Sequence, residues 1–461
     1  MMAGETEVDV GPTRAVSRSA AFGLAVSVVL IAAAIAIPAL FDWKVFVNSF
    51  PPLHAEWMPR VGPGTPAAIA LAGLAVAFAA RIRTMSWPRL MIVTYAMGLA
   101  WMLSLATVDG LDGIGVILDT QYEYLNTARA VTDVGETLRI YVDRIPLDSE
   151  NNWPVHIAGH PPGALLFFVV LVWLGLGSGL AAGLVVTAIA ASTAVAVLHT
   201  VRRLGAETLA RRAAPFLVIG PAAIWMSVSG DAVFAAFAAW GMLSLAIAAT
   251  SQRRGRQVAW SMLAGVLLGY CVMLSYGLPL LGVLAVTILV LTKSWRPLPW
   301  AVAAALAVVG LFALGGFAWW EAFPVLQERY WDGIASRRPP EYWMWGNLAA
   351  LSISAGPWVG AAAGAAIASI PWTSWRAPMT GIDDHERARR TVAYLAIAGV
   401  GMCLLADVSQ MSRAEVERIW LPFVPWMLVG TALLSERWRR VGLPAQAVFA
   451  LTVQHLLTTG W

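Results

Sequence analysis

The densest run of ionisable side chains in this 461-residue chain lies between residues 108 and 160. Nine acids, Asp109, Asp112, Asp119, Glu123, Asp133, Glu136, Asp143, Asp148 and Glu150, face three arginines there, Arg129, Arg139 and Arg144. Asp119 reads as a helix N-cap or as a site acid. Residues 117–131 have helical spacing, with Leu118, Tyr122, Leu125 and Arg129 on one stripe, which predicts an amphipathic helix on a membrane surface. The segment ends in His156-Ile-Ala-Gly-His160-Pro-Pro-Gly163 and runs into an apolar stretch. Pro161 restrains His160 to extended geometry, and the helix starting behind it turns the positive end of its dipole toward that histidine. Such a terminus favours an anion, and His160 either donates to one or bonds a loop carbonyl. Asp231, in Ser229-Gly230-Asp231, is either a cap or a site acid. Tyr122, Tyr342 and Trp343 form either an interfacial aromatic belt or a stacking platform for a ligand.

The elements that carry these residues must be membrane helices. Charged residues are 13% of the chain, against roughly 25% in soluble domains. Hydrophobic residues reach 59%, and the mean hydropathy is +0.69. So few charges cannot cover so apolar a chain in water, and a soluble multidomain protein is excluded. The net charge of +4 does not indicate nucleic acid, because the arginines cluster between apolar runs. Arg81/Arg83/Arg89, Arg202/Arg203/Arg211/Arg212, Arg253/Arg254/Arg256, Arg387/Arg389/Arg390 and Arg437/Arg439/Arg440 follow the positive-inside pattern. Apolar runs predict an all-α polytopic bundle of about 12 to 14 spans, with residues 1–19 a disordered cytoplasmic tail and 20–461 one membrane domain. Segments 108–160 and 321–345 are then the two large external loops. Two full crossings within 161–200 would put the Arg202–Arg212 cluster outside. Either that loop breaks the charge rule, or part of 161–200 is interfacial or re-entrant.

The middles of the spans contain no Asp, Glu, Lys or Arg. Ion-coupled transporters and proton pumps use ionisable groups at membrane depth, so the chemistry is expected at the external surface. Cys271 and Cys403 both lie in apolar runs and offer neither a disulfide framework nor a metal site. No ligand spacing implies a metal, and no nucleotide-binding domain is visible. Arg413, Glu415 and Glu417 read as a solvated loop, and His54, His199, His385 and His455 belong to no constellation.

The ordered motifs resemble the GT-C membrane glycosyltransferases, nearest the protein O-mannosyltransferase and aminoarabinose-transferase branch. Asp119-Thr-Gln-Tyr122-Glu-Tyr-Leu-Asn-Thr-Ala128 stands where that family has an acidic, aromatic motif in its first external loop, and His160-Pro-Pro-Gly163 where it has H/K-P-P-L/G. Ser229-Gly230-Asp231 and Arg418-Ile-Trp-Leu-Pro422-Phe-Val-Pro425 are similar to two later motifs. Thr120 departs from the usual Glu, and two extra spans precede the loop. The resemblance implies transfer of a sugar, with inversion, from a polyprenyl-phosphate donor to a glycan, lipid or protein hydroxyl of the cell envelope. It implies a multi-pass protein of the cell membrane with its site on the extracytoplasmic face and no cofactor. Asp119 would then be the catalytic base, and His156, His160, Arg337, Arg338 and Arg418 would hold the donor phosphate. A transporter or flippase of lipid-linked sugars or other cell-envelope precursors is the rival reading.

Overall fold

Long apolar runs without an internal water-bonding partner become helices, because a helix satisfies its own backbone in lipid. The computed structural model describes residues 14–47, 49–371 and 383–460 as helices joined by short loops, with one two-stranded ribbon. Among the described residues, seven helices are long and apolar enough to cross a membrane, or nine when each of two bent pairs is counted as one span. The predicted 12 to 14 also counted shorter apolar helices, such as Leu278–Thr292 and Val424–Leu433. The outward faces carry large exposed apolar side chains, among them Phe22, Leu306, Leu311 and Val448, as a lipid-facing surface requires. The first helix runs Arg14–Phe41, so residues 14–19, expected in a disordered tail, are helical. Residues 1–13 lie outside the described residues.

The difficulty in 161–200 resolves into one long helix and one short one. Pro162–Trp173 has 12 residues, about 18 Å, too short for a hydrocarbon core of about 30 Å. At its start the Gly163 carbonyl accepts from the Tyr270 hydroxyl (2.9 Å), near the end of helix Arg254–Leu274. A Cβ on Gly163 would lie 2.5 Å from the Met273 carbonyl oxygen, so glycine is what lets the helix seat there. The turn after Trp173 returns to the 108–160 loop, where the Gly177 carbonyl accepts from Arg129. Gly179–Arg203 then makes the single long passage. Its far end joins the other arginine-rich ends: Arg202 lies over the Trp87 ring, Arg203 donates to Thr250, and Arg211 donates to the carbonyls of Ile82 and Met85.

Two sharp bends interrupt the helices, the second of them inside the run 346–371 expected as one span. Leu298–Leu314 and Trp319–Asp332 meet at 74°, around Gly316 with φ of 111°. Pro340–Ser354 and Trp358–Ala368 meet at 103°, around Gly356 with φ of 79°. Glycine alone takes these backbone angles without strain. The antiparallel ribbon pairs Ala55–Trp57 with Leu457–Thr459, tying the segment after the first helix to the end of the last long one. It also fixes the residue just before its first strand, His54.

Candidate functional site

The expected helix over 117–131 breaks in the middle. Residues Ile117–Asp119 form a single 3-10 turn, Thr120 and Glu123 are extended, and the α-helix begins at Tyr124 and ends at Ala130. Asp119 therefore caps no helix. Its two oxygens meet Arg129 Nη1 and Nη2 at 2.6 and 2.9 Å, and its side chain is 31% exposed. Hydrogen bonding to Arg129 holds its pKa below the usual carboxylate range. The break has a second effect: Leu118 and Leu125 stay buried, while Tyr122 turns outward and Glu123 and Tyr124 turn inward.

Those inward residues reach an ionic cluster built from separate parts of the chain. Its centre is Arg418, in the short helix Val416–Ile419. Arg418 Nη1 donates to Asp231 Oδ2 (2.8 Å), and Nη2 reaches His156 Nε2 (3.0 Å) and Glu415 Oε2 (2.9 Å). His156 Nδ1 lies 2.8 Å from Glu123 Oε1. A guanidinium can only donate, so His156 Nε2 accepts and the ring proton sits on Nδ1, directed at Glu123. The other oxygen of Glu123, Oε2, is buried with no hydrogen-bond partner.

His160 is assigned by the same reasoning. Its Nδ1 is 2.7 Å from the His156 carbonyl and 2.9 Å from the Tyr124 hydroxyl. A carbonyl only accepts, so Nδ1 carries the proton and Nε2 presents a lone pair. That Nε2 is 3.9 Å from Asp231 Oδ1. Burial lowers the His160 pKa despite the opposing pull of Asp231, so the ring is neutral at pH 7. The backbone of 156–160 is itself held from below, where the buried Tyr141 hydroxyl bonds the Ile157 carbonyl at 2.9 Å.

The cluster continues through Glu415 to Arg338 and His54. Arg338 lies 3.6 Å from Glu415 and 2.6 Å from His54 Nε2, and it also donates to the Phe46 and Arg413 carbonyls. Burial raises the Glu415 pKa, but Arg418 and Arg338 outweigh it and bring it down to about 2. Ala414 and Glu415 adopt left-handed angles, with φ of 76° and 63°. Such angles cost non-glycine residues roughly 1–3 kcal/mol each. Hydrogen bonds hold the turn: Asn347 accepts from the Ala414 amide (3.1 Å) and donates to the Ser412 carbonyl (2.6 Å), and Tyr330 accepts from the Arg413 amide (2.7 Å). Glu417, fully buried, has no hydrogen-bond partner of good geometry for either carboxylate oxygen. Burial pushes its pKa up to about 7.

The structure thus brings together His156, His160, Asp231, Arg338 and Arg418 from the sequence-based set. Arg337 stays at the surface over the Phe46 ring (4.6 Å). Tyr342 and Trp343, the proposed stacking pair, are fully buried, their polar atoms bonded to the Ala34 and Val45 carbonyls. Trp43, Trp343 and Trp345 cover the Tyr342 ring, so neither residue offers an open face to a sugar. Glu415 and Glu417, read as a solvated loop, are cluster members, and so is His54. Glu123 and Tyr124 stood inside the loop motif, four and five residues after Asp119, but spacing gave no reason to prefer them. Among the described residues no group of three or more His, Cys, Asp or Glu side chains is arranged to hold a metal ion.

What the arrangement can do is bounded by its charges. Two guanidiniums, four carboxyl groups and the imidazoles meet in a largely buried space, where electrostatic interactions are strong. Such a site can bind an anion on its arginines, and Glu123 can take a proton on Oε2. No family model matches the chain, and no curated protein matches it. Among solved structures, ArnT from Cupriavidus metallidurans in its apo state aligns with a TM-score of 0.36 and 16% identity. The alignment covers 72% of this chain and 59% of that one, and a likeness of this size carries no argument about chemistry.

Proposed function

We propose that the protein is a membrane glycosyltransferase that moves a sugar from a lipid-phosphate donor to a hydroxyl acceptor. The observation that carries this reading is the convergence on Arg418 of four motifs far apart in sequence: Glu123-Tyr124, His156 to His160, Asp231 and Arg418 itself. These are the segments whose order resembles the GT-C family. The charge chemistry agrees with the reaction. As the anomeric carbon–oxygen bond breaks, the electron pair stays on the lipid phosphate, and Arg418 and Arg338 are placed to stabilise that charge. The acceptor oxygen forms the new bond from the opposite side, inverting the anomeric centre, and its proton passes to a carboxylate.

We assign that carboxylate to Glu123, because its Oε2 is buried and unpaired while His156 orients Oε1. Asp119, the base implied by the motif, holds the role only if its ion pair with Arg129 opens. The arginine-rich helix ends gather away from the cluster, which supports an extracytoplasmic site under the positive-inside rule. A polyprenyl-phosphate sugar is the donor class this arrangement suits. The flippase reading requires polar access from both leaflets, and the ionic cluster belongs to one end of the bundle.

The test is transfer by the purified protein in lipid nanodiscs, supplied with synthetic polyprenyl-phosphate hexoses and pentoses. Release of polyprenyl phosphate, lost in Arg418→Lys, is expected. Movement of intact donor between leaflets without bond cleavage would replace the transferase with a flippase.

A further inference from the structure

A second opening lies beside the ionic cluster, on another face of the same short helix. It has a volume of about 520 Å³, within the range of small-molecule sites. Gln121, Asn126, Thr127, Asp133, Glu136 and Arg144 supply polar wall, and Val131, Ile140, Trp153 and Pro154 supply apolar patches between them. Two covalent routes join it to the cluster. Helix Tyr124–Ala130 sends Tyr124 to His160 while Asn126, Thr127 and Ala130 line the cleft. Trp153 and Pro154 line the cleft too, and His156 follows within the next two positions. Gln121, on the cleft wall, stands two residues before Glu123.

The lining limits the ligand's chemistry. Glu136 is paired with Arg139 at 2.9 Å. Arg144 lies over the Trp153 ring at 3.6 Å and donates to the Asn151 carbonyl. Asp133 accepts from the Glu136 amide at 3.0 Å. The wall therefore carries two acids, Asp133 and Glu136, against one arginine, Arg144, whose guanidinium is already engaged, while Arg139, outside the lining, pairs with Glu136. A phosphate or carboxylate ligand has no cation set aside for it. An acyl chain would cover hydroxyls and amides that lose water without gaining a bond. The contrast is the groove between Leu74, Phe78, Leu90, Met97, Pro215 and Ile219, whose lining is almost wholly apolar. A ligand with hydroxyl edges and C–H faces matches the mixed wall, and a neutral carbohydrate has both.

We propose that this cleft is the acceptor site and that the acceptor is a neutral oligosaccharide, its terminal hydroxyl directed at Glu123. This deepens the transferase reading and rests on it for the word acceptor; carbohydrate binding itself does not. The experiment presents the full-length protein in nanodiscs with an array of neutral hexose and pentose di- to tetrasaccharides, with sulfated and uronate-bearing analogues and Ser/Thr-rich peptides as comparison probes. At least one neutral class binds, Thr127→Trp weakens that binding at least tenfold by filling the cleft, and Arg203→Ala, at the far arginine-rich helix end beside Thr250, leaves it within threefold. If Thr127→Trp does not fold, the pair Gln121→Ala/Asn126→Ala, checked by its melting temperature, takes its place with the same expected loss. Binding only to anionic glycans or peptides, no binding at all, or binding that survives both cleft variants overturns the proposal. Oligosaccharide binding at the cleft without any transfer activity would instead sink the transferase reading and leave the carbohydrate site standing.

Discussion

Two aspartate–arginine pairs in this protein have nearly the same bond lengths and opposite settings. Asp119 and Arg129 are ten residues apart, at 2.6 and 2.9 Å, on a partly exposed loop. Asp231 and Arg418 are 187 residues apart, at 2.8 Å, and both are buried. Exposed pairs contribute roughly 0.2–1 kcal/mol, because water screens the charges and holding the side chains costs entropy. Breaking a buried pair costs roughly 3–5 kcal/mol, most of it the stranded charge. Sequence motifs drew attention to Asp119, but burial puts the electrostatic weight on Asp231 and Arg418.

The comparison breaks first at Arg418. Arg418→Met should abolish transfer and lower the melting temperature in detergent, since Asp231 is left buried without its cation and Glu415 keeps only Arg338. Arg129→Met, its counterpart, should destabilise by less than about 1 kcal/mol. Equal losses of stability would erase the difference between the two settings.

The next test separates the two candidate bases. Glu123→Gln keeps the side-chain shape and removes basicity, so turnover should fall by about 10²- to 10⁴-fold, the usual share of general base catalysis. Asp119→Asn should lower turnover less than tenfold, through loop disorder. If Asp119→Asn matches the larger loss while Glu123→Gln does not, the base is Asp119 and its pair with Arg129 must open during turnover.

A subtler contrast lies inside the cluster, between Glu415 and Glu417. Glu417 is raised to about 7 from 4.5 by burial, so between those values the folded protein holds a proton that the unfolded chain has released. Stability from this group is full below pH 4.5 and declines as pH rises through 7, by about 3 kcal/mol at most. Glu415 is depressed to about 2, so its contribution is full above pH 4.5 and is lost as pH falls toward 2. From pH 5 to 7 the Glu417 contribution should therefore fall while that of the neutral His160 rises, so Glu417→Gln should remove the falling part of the melting profile and Glu415→Gln should leave it in place. A profile unchanged by Glu417→Gln would mean that the carboxyl reaches water. The smallest effect belongs to the surface pair: raising salt to 1 M should weaken Asp119–Arg129 and leave the melting difference due to Arg418→Met unaltered.

Much of the architecture was legible because lipid imposes a simple rule. Apolar runs long enough to satisfy their own backbone become helices, and the runs at 65–81, 231–250, 258–275 and 391–407 match helices within a few residues at most ends. The exceptions have local causes. Residues 117–131 kept helical spacing but broke, because an inward Glu123 and an outward Tyr122 served the tertiary site better than one continuous stripe. Pro162–Trp173 looked like a span and is too short for one, and composition alone does not reveal where a helix's two ends lie.

The site divides along the same line. Sequence by itself determined that the chain is a helical membrane protein, that its ionisable groups avoid the span middles, and that His156, His160, Asp231 and Arg418 belong to motifs in a recognisable order. Only the tertiary structure decided that Glu417 is buried and Glu415 half-buried in the cluster, that His54 joins them, that Tyr342 and Trp343 are packed away, and that Asp119 stays outside the cluster. The physical reason is that residue type and spacing encode local geometry, whereas burial and charge pairing depend on what the rest of the chain brings alongside. Arg418 and Asp231 became a site because a left-handed turn at Glu415 and the first turn of a helix 187 residues earlier point into the same buried space.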